Sequence, residues 1–151
     1  MPKWFARHDW NVSLNMIRSD LFGDCDGLGL VEKEIGEFSL KISSHERAMM
    51  EYLYLLDGHG NGDEPTQLMN TLAWLRPDVV QKLLEACRSA KVKRLFLVLS
   101  ELADHPWMRK LDLTKVNTGK GKRQFTPGGW LSPKYQITVP RSWRLAEEVV
   151  P

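Results

Sequence analysis

From Trp10 to Ile17 apolar and polar side chains alternate with period two. Trp10, Val12, Leu14 and Met16 fall on one face and Asn11, Ser13 and Asn15 on the other, which predicts a half-buried strand. A second strand-like run covers residues 27–33 and a third covers 37–42, where Phe38, Leu40 and Ile42 share one face and Glu37, Ser39 and Lys41 the other. The Glu34-Ile35-Gly36 connection is short enough for a hairpin, so the first third is expected to be an antiparallel meander. The period then changes. Ser43 or Ser44 is placed to cap a helix in which Ala48, Met49, Tyr52, Leu53 and Leu56 recur at spacings of three and four. The polar, glycine-rich stretch 57–63 ends it. A helix is expected over 65–74, and Arg76-Pro77-Asp78 restarts the chain, with Pro77 in a first turn where no amide hydrogen is needed. Val79, Val80, Leu83, Leu84 and Cys87 stripe the helix that follows. Residues 91–103 hold the apolar run 95–99, which fits a buried strand or a buried helix; Glu101-Leu102-Ala103 extends it past strand length and favours the helix. Beyond Asp104-His105-Pro106, residues 112–117 lead into a glycine-interrupted basic turn at 118–123, and Gln124-Phe125 and 134–139 read as strands. The expected fold is α+β, with antiparallel strands at both ends of the chain packed against a central helical segment in one domain over 1–151.

Charge divides this picture. Residues 1–87 hold 8 Lys and Arg against 14 Asp and Glu, a balance of −6, whereas residues 88–144 hold 13 against 3, a balance of +10. Glu147 and Glu148 bring the whole chain to +2. A swing of that size gives the molecule a directional field able to steer an anionic partner such as nucleic acid or an acidic protein face. Composition otherwise excludes whole classes. Apolar residues make up 42% and charged residues 26%, the range of soluble globular proteins, and no run approaches the roughly 20 apolar residues of a bilayer span. The first nine residues contain no uninterrupted apolar stretch of the kind a secretory signal needs. Cys25 and Cys87 lie far apart with no CxxC spacing, so two reduced thiols in a cytoplasmic protein are expected.

The residues singled out for function are basic. Arg88, Lys91, Lys93 and Arg94 fall where one helix ends and the next begins, and Lys120, Lys122 and Arg123 fall on a loop whose glycines permit close backbone approach. A rigid platform of donors beside an adaptable loop is what phosphate recognition requires. Other motifs fail on inspection. The 57–68 stretch lacks an oxygen ligand at its third position, His59, and the glutamate a calcium loop needs at its twelfth, Leu68. Thr118-Gly119-Lys120-Gly121-Lys122 lacks the GxxxxGK[ST] order of a nucleotide-binding loop. Glu32, Glu34 and Glu37 are explained by alternation on an exposed strand, and His8, His45, His59 and His105 show no metal spacing and no nucleophile partner. No cofactor, metal or catalytic set is therefore expected. Trp74, Trp107 and Trp130 are expected to pack.

Several short strings, in order, resemble one family. Ser44-His45-Glu46-Arg47-Ala48 is similar to the S-x-E-R-A helix opening of the antitoxins of the AbiE system. Leu75-Arg76-Pro77-Asp78, Leu83-Leu84-Glu85-Ala86-Cys87 and the distinctive Lys91-Val92-Lys93-Arg94-Leu95-Phe96-Leu97 follow in the family's sequence. His105-Pro106-Trp107, Leu111-Asp112-Leu113 and Lys134-Tyr135-Gln136-Ile137-Thr138-Val139-Pro140 continue it, so the resemblance covers about 2–140. It implies an AbiEi-like antitoxin of a type IV toxin–antitoxin pair, associated with phage resistance. Its functional partner would be an AbiEii-like nucleotidyltransferase toxin, countered without a stable complex. The family joins an N-terminal winged-helix operator reader to a C-terminal neutralising domain. No helix-turn-helix pattern is seen in the first 45 residues, so the chain is expected to correspond to the C-terminal domain alone. Two other readings stand beside this one: an accessory DNA-binding module of a transcriptional autorepressor, and an enzyme acting on the toxin or its RNA substrate.

Overall fold

The computed structural model describes residues 3–25, 27–59 and 62–144; Gly60 and Asn61 of the polar loop and the terminal Glu147 and Glu148 lie outside them. Along the described residues run α1 (Lys3–Arg7), β1 (Leu30–Ile35), β2 (Phe38–Ser43), α2 (His45–Leu55), α3 (Glu64–Asn70), α4 (Pro77–Ala86), α5 (Ala90–Ala103), β3 (Arg123–Gln124), β4 (Trp130–Ser132) and β5 (Ile137–Val139). Single 3-10 turns occupy Pro106–Lys110, Leu113–Lys115 and Arg141–Trp143. The fold is α+β with strands on either side of a helical centre, as the pattern predicts.

The centre is α5. Residues 92–100 are buried without interruption, so the helix is enclosed around its whole circumference, which settles the ambiguity of the 95–99 run. α2, α3, β5 and the Arg141–Trp143 turn all pack against it. Ser89 caps its start, its hydroxyl accepting the Val92 N–H at 3.2 Å, and Asp104 ends it in the left-handed conformation at φ +50°. At the head of α2, Ser44 is the capping serine, accepting the Arg47 N–H, and Pro77 opens α4 in the first turn.

The two helix heads are joined by charge. The side chain of Glu46, 2% exposed, accepts the Arg76 backbone N–H at 3.0 Å and its guanidinium at 3.1 and 3.2 Å. Burial alone would raise the Glu46 carboxyl, but the Arg76 hydrogen bonds, with smaller contributions from its own backbone N–H and Ser44, outweigh it and lower its pKa to about 2.

β1 and β2 form an antiparallel hairpin whose register pairs Val31 with Ile42, Lys33 with Leu40 and Ile35 with Phe38. The turn is Gly36-Glu37, one residue later than the sequence reading placed it, and Gly36 at φ +62° occupies the position that a type II′ hairpin reserves for glycine. The face shared by Val31, Ile35, Phe38, Leu40 and Ile42 is exposed, not buried. The expected strand over 10–17 is absent. Among the described residues this segment has no secondary structure and no backbone hydrogen bonds, and Val12, Leu14, Met16 and Ile17 are exposed. The chain first enters the core at Leu21 and Phe22. The helix expected over 65–74 ends at Asn70, leaving Trp74 59% exposed with its ring edge-on to His45 at 4.5 Å. Trp107, by contrast, is buried and donates its indole N–H to Leu72 O at 2.8 Å.

The second sheet is small and mixed, in the order β3-β5-β4, with β3 parallel and β4 antiparallel to β5. Ile137 and Val139 of β5 are fully buried, which seats this sheet on the core and fixes the loop that precedes β3 beside the start of α5.

Candidate functional site

An α-helix buried on all sides has no solvent for its polar side chains, so Lys93 and Arg94 must find acceptors within the protein. They find backbone carbonyls of the basic loop. Lys93 Nζ donates to Asn117 O at 2.7 Å. Arg94 donates through Nε to Thr118 O at 2.9 Å, and through one terminal nitrogen to Gly121 O at 2.6 Å and Gln136 O at 2.9 Å. Lys93 is 6% and Arg94 2% exposed. Lys91, half-buried, turns the other way and donates to Tyr54 O at 3.0 Å and Leu56 O at 2.9 Å, carbonyls at the C-terminal end of α2 that have no intrahelical partner. Burial pushes the pKa of all three below the ordinary value. A neighbouring Arg123 charge adds to the effect at Arg94, and Asp57 partly offsets it at Lys91.

The three cations are thus internal struts rather than surface donors. Lys91 closes the end of α2, whereas Lys93 and Arg94 brace the loop from Asn117 to Arg123. Asn117 starts it with an Asx turn, its Oδ1 accepting the Gly119 N–H at 2.9 Å. Gly119 and Gly121 take φ +76° and +77°, the left-handed backbone that glycine adopts without strain, and this is what shapes the turn. With the carbonyls drawn inward, Lys120, Lys122 and Arg123 point outward; all three are exposed and none has an ion-pair partner among the described residues. Arg88 is exposed and pairs with Asp20.

The seven cations singled out in the sequence therefore divide. Lys91, Lys93 and Arg94 bond to main chain, Lys120, Lys122 and Arg123 form an outward cluster, and Arg88 ties the N-terminal arm to the α4–α5 junction. Sequence reading missed the Asn117 turn, whose Asn-x-Gly signature is legible, and a small cavity beside Thr126 and Trp143 that has no sequence signature. Cys25 and Cys87 are free, the latter buried with its thiol pushed up by burial. Among the described residues no three His, Cys, Asp or Glu side chains are grouped to hold a metal, and no helix is long and apolar enough to cross a membrane.

Fold and site together define a helix-centred α+β protein whose basic half is organised around an internally braced loop. The chain belongs to the AbiEi antitoxin family: residues 1–140 match the family model described as a transcriptional regulator, AbiEi antitoxin, of type IV toxin–antitoxin systems. No curated protein and no solved structure matches it.

Proposed function

We propose that the protein is a non-enzymatic antitoxin that counteracts a nucleotidyltransferase toxin, and that its outward basic loop meets nucleic acid, the anionic substrate class such a toxin handles. The observation that carries this is the division of cations just described. Lys120, Lys122 and Arg123 stand exposed, with no ion-pair partner among the described residues, on a loop whose backbone is fixed by Lys93 and Arg94. Fixed cations on a glycine-hinged loop lose little freedom on meeting phosphates, and each phosphate neutralised releases counterions. Arg88, paired with Asp20, holds the adjoining helix junction, while Lys91, Lys93 and Arg94 act through the framework.

Co-expression with a cognate nucleotidyltransferase toxin tests the antitoxin role, growth being restored by the intact chain and not by an empty vector. The loop is tested by duplex and single-strand binding across a salt series. The triple variant K120A/K122A/R123A is expected to flatten the log–log salt slope by about 2–3, the number of phosphate contacts removed. An unchanged slope would remove the loop from the interface. A second reading, an accessory DNA-binding module in autorepression, is favoured by the family's description as a transcriptional regulator. It predicts duplex binding that strengthens operator occupancy without rescuing growth.

A further inference from the structure

α2 and α3 both pack on α5, and a groove of about 230 Å³ stays open between them. Buried Met49 and Leu72 form its floor. Its walls face solvent: His45, Ala48 and Leu68 are exposed and Tyr52 is half-buried. Among the described residues the lining holds no carboxylate, ammonium or guanidinium group. The volume falls short of the roughly 300–1,000 Å³ of clefts that enclose a small-molecule ligand. It suffices for a single bulky apolar side chain.

Such a side chain stands at the rim. Trp74 does not line the groove; it is exposed, with its ring edge-on to His45 of the wall at 4.5 Å. Its backbone is firmly held. Leu72 and Leu75 on either side are buried, Leu72 O accepts the Trp107 indole N–H, and His105 Nε2 lies 2.7 Å from Met69 O. An aromatic ring on a fixed backbone loses little freedom on docking, and tryptophan is among the residues most enriched as anchors of protein interfaces. The apolar strip also continues past the groove. Ala48, Tyr52 and Leu55 follow one face of α2 at spacings of four and three, and Leu55 is exposed.

We propose that this face is where two copies of the chain pair about a two-fold axis, each Trp74 entering the groove of the other. A surface that carries both an apolar groove and an exposed anchor is self-complementary, which is what an isologous contact requires. Glu64 opens α3 and Trp74 follows its far end, so an axis across the middle of the groove keeps the two Glu64 carboxylates apart. The area sets the strength of the contact. Leu55, Leu68 and Trp74, with the exposed parts of Ala48 and Tyr52, offer about 400 Å² of apolar surface per copy. Homodimer interfaces are roughly 65% apolar, so two copies would bury about 1,200 Å² in all, the lower edge of specific interfaces and below the range of obligate dimers. The pair is therefore reversible, with a Kd on the order of tens of micromolar.

Sedimentation equilibrium of the full chain over a concentration series tests this, and a monomer–dimer equilibrium is expected. Trp74→Ala, and separately Ala48→Glu, which sets a carboxylate on the exposed wall, are each expected to weaken pairing at least tenfold. Thermal unfolding in dilute solution checks that both variants are folded. With 5-fluorotryptophan incorporated, the Trp74 fluorine resonance, assigned by its loss in Trp74→Ala, is expected to move with protein concentration. The resonances of buried Trp107 and Trp143 are expected to hold still. A chain that stays monomeric at about 1 mM overturns the proposal, and so does a dimer that survives either substitution in a folded variant or leaves the Trp74 resonance in place.

Discussion

At the residue scale the decisive contrast is between cations and carboxylates that differ in what surrounds them. Glu46 is enclosed but stays ionised because Arg76 brings it three hydrogen bonds, and its pKa falls from 4.5 to about 2. The sign of the resulting pH dependence follows from linkage. A carboxyl depressed in the folded state stabilises it at pH above the unfolded value, and that contribution disappears as pH falls from about 4.5 towards 2. The shift alone corresponds to up to about 3 kcal/mol. Arg76 is 56% exposed, so solvent screening lowers this to on the order of 1–2 kcal/mol. Glu46→Gln is expected to remove most of that slope in urea unfolding measured from pH 6 to pH 2.5. If the variant keeps the wild-type slope, another carboxyl carries it.

At the scale of elements, α5 organises both the core and the loop. Arg94→Met would keep its apolar stem but abandon the carbonyls of Thr118, Gly121 and Gln136. The expected cost is roughly 2–4 kcal/mol, from acceptors left short of partners. It should be accompanied by faster amide exchange across 118–124 and little change at 95–99; exchange that stays slow in the loop would show that Arg94 does not brace it. Most helices were legible because their signals are local: Ser44 and Ser89 at caps, Pro77 at a first turn, glutamate and alanine carrying 95–99 past strand length. Residues 10–17 misled because period two records which side chains share a face, not whether a second strand is present to pair with. Lys93 and Arg94 were read as surface donors but are buried, since a sequence displays charge and not the distant carbonyls of Asn117, Thr118, Gly121 and Gln136 that make burial tolerable. The outward members of the cluster, on a glycine-bearing turn, were readable because turn chemistry and exposure go together. The Trp143 cavity depends on Gly58 meeting Phe125 across the fold, a contact no local pattern encodes.

For the whole molecule, the question is where the cooperative structure begins. The segment before Leu21 leaves Trp4, Val12, Leu14, Met16 and Ile17 exposed, and at its end Asp20 pairs with Arg88. At Leu21 the character changes: its carbonyl accepts the Arg88 N–H at 2.7 Å, and Phe22 is buried with the Arg47 guanidinium 4.8 Å above its ring. Burial of apolar surface is what makes a segment melt with the core, and here that burial starts at residue 21. Brief trypsin treatment is therefore expected to cut after the exposed Arg18 before any site in α4 or α5, leaving a fragment that unfolds cooperatively within a few degrees of the intact chain. Calorimetry of that fragment gives the answer. A fall in Tm on the order of 10 °C or more would mean that the arm covers apolar surface in solution, for which the exposed face of Val31, Ile35, Phe38, Leu40 and Ile42 is the available seat. An unchanged Tm would place the whole of the stabilising core, together with the braced basic loop, after Arg18.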